Sequence, residues 1–214
     1  MNNDCCSPQA SGEYPSDCQL TEALRNRAMQ KNFPLKRSKE WTAALEKAKK
    51  VKLLLLDVDG VLTSGSLIYT SSGEETKCFN TQDGLGIKLL QESGVAVGVI
   101  TARTSTIVAR RAEELGLTYV YQGKFDKLKS YEEILKEAEL RPMHTAYMGD
   151  DWIDLPLLNR VGFGAAPANA REEIALRADY VTQRKGGRGA VREVCDLILE
   201  AQGTYTKMFA RFDK

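Results

Sequence analysis

Two apolar patterns alternate along most of this chain. The run Val51-Lys-Leu-Leu-Leu-Leu56 is nearly continuous, as expected of a strand buried on both faces of a parallel sheet. Comparable runs predict strands at Val95–Thr101, Thr118–Tyr121, Thr145–Met148, Gly162–Ala166 and Tyr180–Thr182. Between them, helical spacing of apolar positions predicts helices over Asp83–Glu92, Ser105–Leu115, Lys127–Glu139, Trp152–Leu158 and Ala190–Ala201. Strand alternating with helix predicts an α/β domain with a doubly wound, mainly parallel, Rossmann-like sheet. Right-handed crossovers then bring the strands' C-terminal ends to one edge, where ligands bind in open sheets.

One segment breaks the alternation. Ser66–Tyr69 and Glu74–Phe79 flank Thr70-Ser-Ser-Gly73, which predicts a β-hairpin. A lone two-stranded hairpin is marginally stable in water, so it calls for a surface to lie against, such as a neighbouring subunit. Residues 1–37 are polar with little periodicity and are expected to form a flexible extension. Ser38 suits the cap of a short helix within 38–50, whose lysines form a solvated face. The domain proper spans 51–203. Residues 204–214 form a tail in which Tyr205, Met208, Phe209 and Phe212 recur at helical spacing. That stripe suits packing on the parent domain or on a neighbour.

Composition narrows the classes. The formal net charge of +1 argues against a nucleic-acid binder. No apolar run reaches the ~20 residues that span a bilayer. The first residues lack the basic and apolar regions of a secretory signal, so a cytoplasmic protein is expected. The five cysteines form no metal-binding spacing, and the single histidine, His144, precedes a strand, leaving no His-based catalytic triad.

The candidate chemistry lies at the ends of the predicted strands. The first ends in Asp57-Val58-Asp59-Gly60, two carboxylates followed by a residue that permits a tight turn. The second ends in Thr101, Gly123-Lys-Phe-Asp-Lys127 follows the third, and the fourth ends in Gly149-Asp150-Asp151 with Asp154 beyond. Such a set fits phosphoryl transfer. A phosphate monoester repels a carboxylate nucleophile unless a cation screens them, and Mg²⁺ takes oxygen ligands. Asp57, Asp150 and a backbone carbonyl of Asp59 are the expected ligands. Asp57 is the expected nucleophile, forming an aspartyl-phosphate. Thr101 and Lys127 would hold the phosphoryl oxygens. Asp59 would serve as acid and then base, with crowded acidic neighbours favouring its protonated form. Asp151 and Asp154 are expected to support the metal site while also starting a helix. A signalling receiver uses similar residues but phosphorylates an Asp on a later strand, where this chain has Thr101. An idle oligomerisation module would not need the full set.

Together with Asp57-Val-Asp-Gly-Val-Leu-Thr63, the segments Phe79-Asn-Thr-Gln-Asp-Gly84, Ile100-Thr-Ala-Arg103, Gly149-Asp-Asp-Trp-Ile-Asp154 and Gly186-Gly-Arg-Gly-Ala-Val-Arg-Glu193 resemble the 3-deoxy-D-manno-octulosonate 8-phosphate phosphatases of the haloacid dehalogenase superfamily. The resemblance runs from about residue 51 to 203. It implies a core without a cap domain, a hairpin that builds a homotetramer, neighbours that help close each site, and a role in lipopolysaccharide synthesis. It also implies the roles given above for Asp57, Asp59, Asp150, Thr101 and Lys127. Asp83, Gly84, Arg103 and Arg188 are expected to contact the sugar phosphate, Arg188 from a mobile Gly-rich loop. Arg103 suits pairing with the substrate's C1 carboxylate. A related group acting on 2-keto-3-deoxynononate 9-phosphate carries Glu there, and that substrate or another sugar phosphate is the alternative. Gln82 and Ala102 depart from the family, where a basic residue and Gly are usual.

Overall fold

Four leucines, Leu53–Leu56, form the central strand and divide their side chains between two cores. Leu54 and Leu56 face one side with Val97, Val99, Ile87, Leu90, Val194 and Ile198, while Leu53 and Leu55 face the other with Ile100, Tyr131, Ile134 and Tyr147. All four leucines are fully buried, each contributing about 2 kcal/mol of transfer free energy. Strand alternation thus accounts for an apolar run with no polar face.

The computed structural model describes residues 16–22 and 36–213, and the chain divides into units Met1–Arg37 and Ser38–Lys214. In the first unit residues 17–22 are helical; most of the expected 1–37 extension lies outside the described residues. In chain order the second unit comprises α1 (Lys39–Ala48), β1 (Leu53–Leu56), β2 (Ile68–Tyr69), β3 (Glu75–Thr76), α2 (Thr81–Glu92), β4 (Ala96–Ile100), α3 (Thr106–Leu115), β5 (Tyr119–Tyr121), α4 (Lys127–Ala138), β6 (Thr145–Met148), α5 (Leu155–Leu158), β7 (Phe163–Ala166), α6 (Glu172–Ala175), β8 (Tyr180–Val181), α7 (Ala190–Ala201) and α8 (Tyr205–Phe209).

The main sheet is parallel, in the order β5-β4-β1-β6-β7-β8. The chain builds from β1 toward β5, then returns to the other side of β1 at β6. The crevice beyond β1, β4 and β6 is therefore the switch point of the sheet. Helix α1 closes one face: Ser38 Oγ accepts from Trp41 N at 3.1 Å, and the buried Trp41 ring meets Tyr180 edge-on at 5.9 Å.

Two elements differ from the sequence expectation, and the tail takes one of its two expected placements. The stretch 152–158 is a 3₁₀ turn, Trp152–Asp154, followed by the single helical turn of α5. Asp154 folds back to accept from Asp150 N and Asp151 N, at 2.9 and 3.1 Å, and Pro156 has no N–H to extend a common helix. The hairpin ladder shrinks to Ile68–Tyr69 against Glu75–Thr76, with Leu67, Ile68 and Tyr69 exposed. In the tail, Met208 is buried and Arg211 pairs with Glu92, so α8 packs on its own domain, whereas Phe209 and Phe212 stay exposed.

Candidate active site

Sheet register sets the acids side by side. Leu56 pairs with both Val99 and Met148, so the next residue, Asp57, stands level with Ile100 and Gly149. Asp57 N donates to Met148 O at 2.9 Å, extending the ladder by one bond before the chain turns. The turn closes as Leu62 N and Thr63 N both donate to Val58 O at 3.0 Å, with Gly60 at φ 95°. Thr101, buried, ends β4 one residue further out, and its Oγ1 accepts from Arg103 N at 3.4 Å.

Behind Asp57 sits a dry, fully connected cluster. Helix α4 begins at Lys127, capped by Asp126, whose side chain accepts from Lys129 N at 3.2 Å. The Lys127 ammonium lies 2.9 Å from Asp57 Oδ1, 2.7 Å from Asp154 Oδ1 and 3.1 Å from the Tyr147 hydroxyl. Its side chain is 1% exposed and that of Asp154 0%. Burial pulls the Lys127 pKa down, but Asp57 and Asp154 outweigh it and the net shift is upward. Burial, with Asp154 and Asp57 adding to it, pushes the Tyr147 phenol well above its ordinary value. Tyr147 and Asp154 are functional candidates of different legibility. Asp154 belongs to a spaced acidic motif, whereas Tyr147 is marked only by a polar tip in an otherwise apolar strand.

Asp150 completes the acidic side. Burial, then Asp57, Asp154 and Asp151, raise its pKa to about 7 despite Lys127. Burial raises that of Asp57 to about 6, with Lys127 opposing and Asp154 adding. Asp57, Asp150 and Asp154 offer carboxylate oxygens within 4.8 Å of one another. Asp154 has both oxygens occupied, Oδ1 by Lys127 and Tyr147 and Oδ2 by two backbone amides. Asp150 Oδ1, by contrast, is buried with no hydrogen-bond partner. A buried carboxylate oxygen without a donor is costly, and a divalent cation satisfies it. Asp57 and Asp150 therefore fit as ligands, with Asp154 bracing the loop that presents Asp150. Asp151 accepts from Trp152 N at 2.7 Å and starts the 3₁₀ turn.

The outer rim comes from the hairpin. Lys77, just past β3, reaches Asp59 Oδ1 at 2.5 Å, and Arg103 Nε lies 3.6 Å from Asp59 Oδ2. Glu75 accepts from Arg103 Nη2 and from Ser105 Oγ, both at 2.9 Å, and Tyr69 OH accepts from Arg103 at 3.2 Å. Burial pushes the Glu75 carboxyl up, but Ser105, Arg103 and Lys77 together hold it below its ordinary range. Asp59 thus faces two cations in place of the crowded acids expected from its sequence neighbours. Sequence reasoning missed Glu75 and Lys77. Their i, i+2 spacing puts both on one face of a strand, but only the folded hairpin shows which face meets the site.

Three expected sugar contacts lie elsewhere or unengaged. The buried Asp83 carboxylate accepts from Gly189 N at 3.3 Å and Arg192 N at 2.8 Å, so it anchors the start of α7. The start of α2 itself is capped by Asn80, whose side chain accepts from Gln82 N at 2.8 Å. Gly84 packs against Arg111 and Leu115, and an added Cβ would lie 2.4 Å from Arg111 Nη2. Arg188 is exposed, and its side chain forms no ion pair among the described residues. Its loop is anchored, contrary to the mobility expected of its glycines. Gly186 N donates to Asn169 Oδ1 at 2.7 Å, Gly187 N to Val61 O at 2.9 Å, and Glu193 accepts from Gln183 N and Arg184 N. Gln82, the departure from the family pattern, lies against that loop at Gly189.

Known proteins are similar to this chain in sequence and fold. Residues 117–194 match the family model of haloacid dehalogenase-like hydrolases. The chain is 46% identical over 159 residues to the 3-deoxy-D-manno-octulosonate 8-phosphate phosphatase KdsC of Escherichia coli K12, covering 74% of this chain and 85% of that protein. A crystal structure of the Moraxella catarrhalis phosphatase of that name, with magnesium, phosphate and KDO, superposes with a TM-score of 0.78 at 45% identity, over 79% of this chain and 97% of that one. The cobalt-bound Haemophilus influenzae phosphatase gives 0.73 at 38% identity, over 77% and 99%.

Proposed function

The chain belongs to the 3-deoxy-D-manno-octulosonate 8-phosphate phosphatase family of haloacid dehalogenase-like hydrolases, and on that premise we propose that it hydrolyses this sugar phosphate, with Mg²⁺, to the free sugar acid and inorganic phosphate. The observation that carries the reading is the buried trio of Asp57, Lys127 and Asp154 beside a half-buried Asp150, one of whose oxygens is buried without a donor. Asp57, Asp150 and the Asp59 carbonyl would hold Mg²⁺, which offsets negative charge as phosphate and carboxylate approach.

Each residue has a distinct part in the reaction. Asp57 forms an O–P bond as the bond from phosphorus to the sugar's C8 oxygen breaks, and Asp59 passes a proton to that leaving oxygen, a role that requires Lys77 and Arg103 to turn from it toward the incoming anion. Water, losing a proton to Asp59, then attacks phosphorus and frees Asp57. Lys127 and Thr101 hold the phosphoryl oxygens in both steps. Asp151 and Asp154 keep the Asp150 loop in place. Arg103, on the rim beside Asp59, offers a planar fork to the C1 carboxylate. Arg at position 103, where the nonulosonate group carries Glu, supports the octulosonate over that analogue. Arg188 is assigned to the same anionic ligand, whereas Asp83 and Gly84 shape the pocket from behind.

We assign catalysis to residues 51–203 and infer a homotetramer, supported by the exposed Leu67, Ile68 and Tyr69 on a hairpin of two-residue strands. A cytoplasmic setting goes with a charged sugar phosphate, which does not cross bilayers unaided, and the product would serve lipopolysaccharide synthesis. Phosphate release from the octulosonate 8-phosphate and the nonulosonate 9-phosphate, with Mg²⁺ and with EDTA, tests the assignment. The expected result is Mg²⁺-dependent turnover with higher kcat/KM on the octulosonate. Equal or reversed preference would overturn the substrate, and turnover unaffected by EDTA would overturn the mechanism.

A further inference from the structure

At the heart of the buried cluster, the hydroxyl of Tyr147 is the one polar group that the mechanism above leaves unused. It is the sole phenol touching Lys127 among the described residues, and the residue is fully buried. Its hydrogen bonding is determined by chemistry alone. A lysine ammonium donates and cannot accept, so across the 3.1 Å contact the phenol oxygen accepts. The phenol's only proton is then committed to Asp154 Oδ1, 2.5 Å away. Lys127, Tyr147 and Asp154 close a three-membered ring, each pair in direct contact.

The ring constrains the ammonium. Lys127 has three N–H bonds, and two are held by Tyr147 and Asp154, both fixed in the protein interior. The third points to Asp57, the side from which a phosphoryl group is reached. A four-carbon side chain carries large rotamer freedom, and two carboxylates alone would let the ammonium slide between them. A neutral acceptor gives it a third point of contact, at 3.1 Å. It does so without adding charge, so it leaves the attraction for phosphate undiminished.

We propose that Tyr147 is a positioning residue for catalysis, acting through Lys127, whose ammonium it holds in register with the transferring phosphoryl group. This rests on the phosphatase reading given above. Removing the hydroxyl while keeping the ring leaves packing intact, and a misplacement of the charge-offsetting group by a fraction of an ångström reaches the rate.

Tyr147→Phe tests this, with turnover normalised to sites titrated by the burst of free sugar acid, the first product, so that an incompletely folded preparation still yields a rate per competent site. The expected result is a kcat lower by about ten- to a hundredfold, with KM and the Mg²⁺ dissociation constant within about twofold of the parent. Inhibition by orthovanadate, which mimics the five-coordinate phosphoryl group, weakens in step with kcat. Inhibition by inorganic phosphate changes little. In a Lys127→Met background the same change has little further effect, because the group it positions is gone. A kcat within twofold of the parent overturns the proposal. So does an equal loss in the Lys127→Met background, or a loss matched by weakened Mg²⁺ binding, which would place the action on the metal ligands. Turnover of the parent enzyme in the same assay tests the phosphatase reading separately.

Discussion

The inner half of the site and its outer rim both join acids to cations, yet they differ in almost every physical respect. Inside, the Lys127 and Asp154 side chains are 1% and 0% exposed, and neighbouring carboxyls are displaced far from their usual range. On the rim, the Arg103 side chain is 42% exposed, and two of its partners, Tyr69 and Glu75, ride on a hairpin with two-residue strands. In a dry environment charge interactions are strong, and misplacing one group is costly. Near water a pair such as Arg103–Glu75 is worth about 0–1 kcal/mol and exchanges partners easily, whereas Lys77, 2% exposed, ties the rim to Asp59 from within. The comparison teaches a division of labour. On the proposed reading the buried half carries the phosphoryl chemistry, Asp59 stands at the border between the two, and Arg103 with the hairpin reads the sugar.

The sharpest way to break that division is at Asp57. Asp57→Asn keeps the shape but removes the nucleophile, so turnover should fall by about 10⁴-fold or more with an unchanged circular dichroism spectrum. Retained turnover would refute the aspartyl-phosphate route and, with it, the contrast between the halves.

A second, smaller effect is pH-dependent and belongs to the inner half alone. Asp57 and Asp150 carry folded-state pKa values of about 6 and 7, above the ordinary aspartate value near 3.8. Between about pH 4 and 7 the metal-free folded protein therefore binds more protons than the unfolded chain. Its stability falls as pH rises through that window, and the stabilisation from the bound protons is lost above about pH 7. Mg²⁺ needs the ionised carboxylates, so its apparent affinity should drop by up to about tenfold per pH unit between about pH 7 and 6 and by up to about a hundredfold per unit below that, with protons released on binding. Calorimetry in buffers of different ionisation enthalpy measures that release; an affinity flat from pH 5 to 8 would count against the site.

The least effect is expected at the rim. Glu75→Gln loosens Arg103 and Ser105 and should alter KM for the sugar phosphate by a few-fold, with kcat nearly unchanged. A kcat loss as large as that of an inner residue would mean the rim shares in the chemistry.

The same contrast explains what could be read without a structure. The buried strands were legible because burial on two faces leaves a long apolar run, and Asp57, Thr101, Lys127 and Asp150 were legible because each ends a strand or opens the following helix. Local spacing does not reveal which remote groups meet. Asp83 reads as a helix-start acid near the ligand, but the chain returns much later to give it Gly189 N and Arg192 N. Asp59 has acids beside it in sequence and cations beside it in space, since Lys77 comes from a hairpin whose register no apolar pattern fixes. Tyr147 was hidden by its own strand, where its ring satisfies the apolar pattern and its hydroxyl passes unnoticed.

The meeting of Gly60 and Gly186 carries a consequence for how such a chain can diverge. A Cβ built on Gly186 would fall 1.7 Å from the Gly60 carbonyl oxygen, and one on Gly60 would fall 2.0 Å from Asp150 Oδ2. A single methyl at either point would prise the Gly-rich loop from the turn or push a metal ligand aside. Distant stretches of the chain are thereby tied together, so a side chain at either glycine demands a backbone shift at the other segment as well.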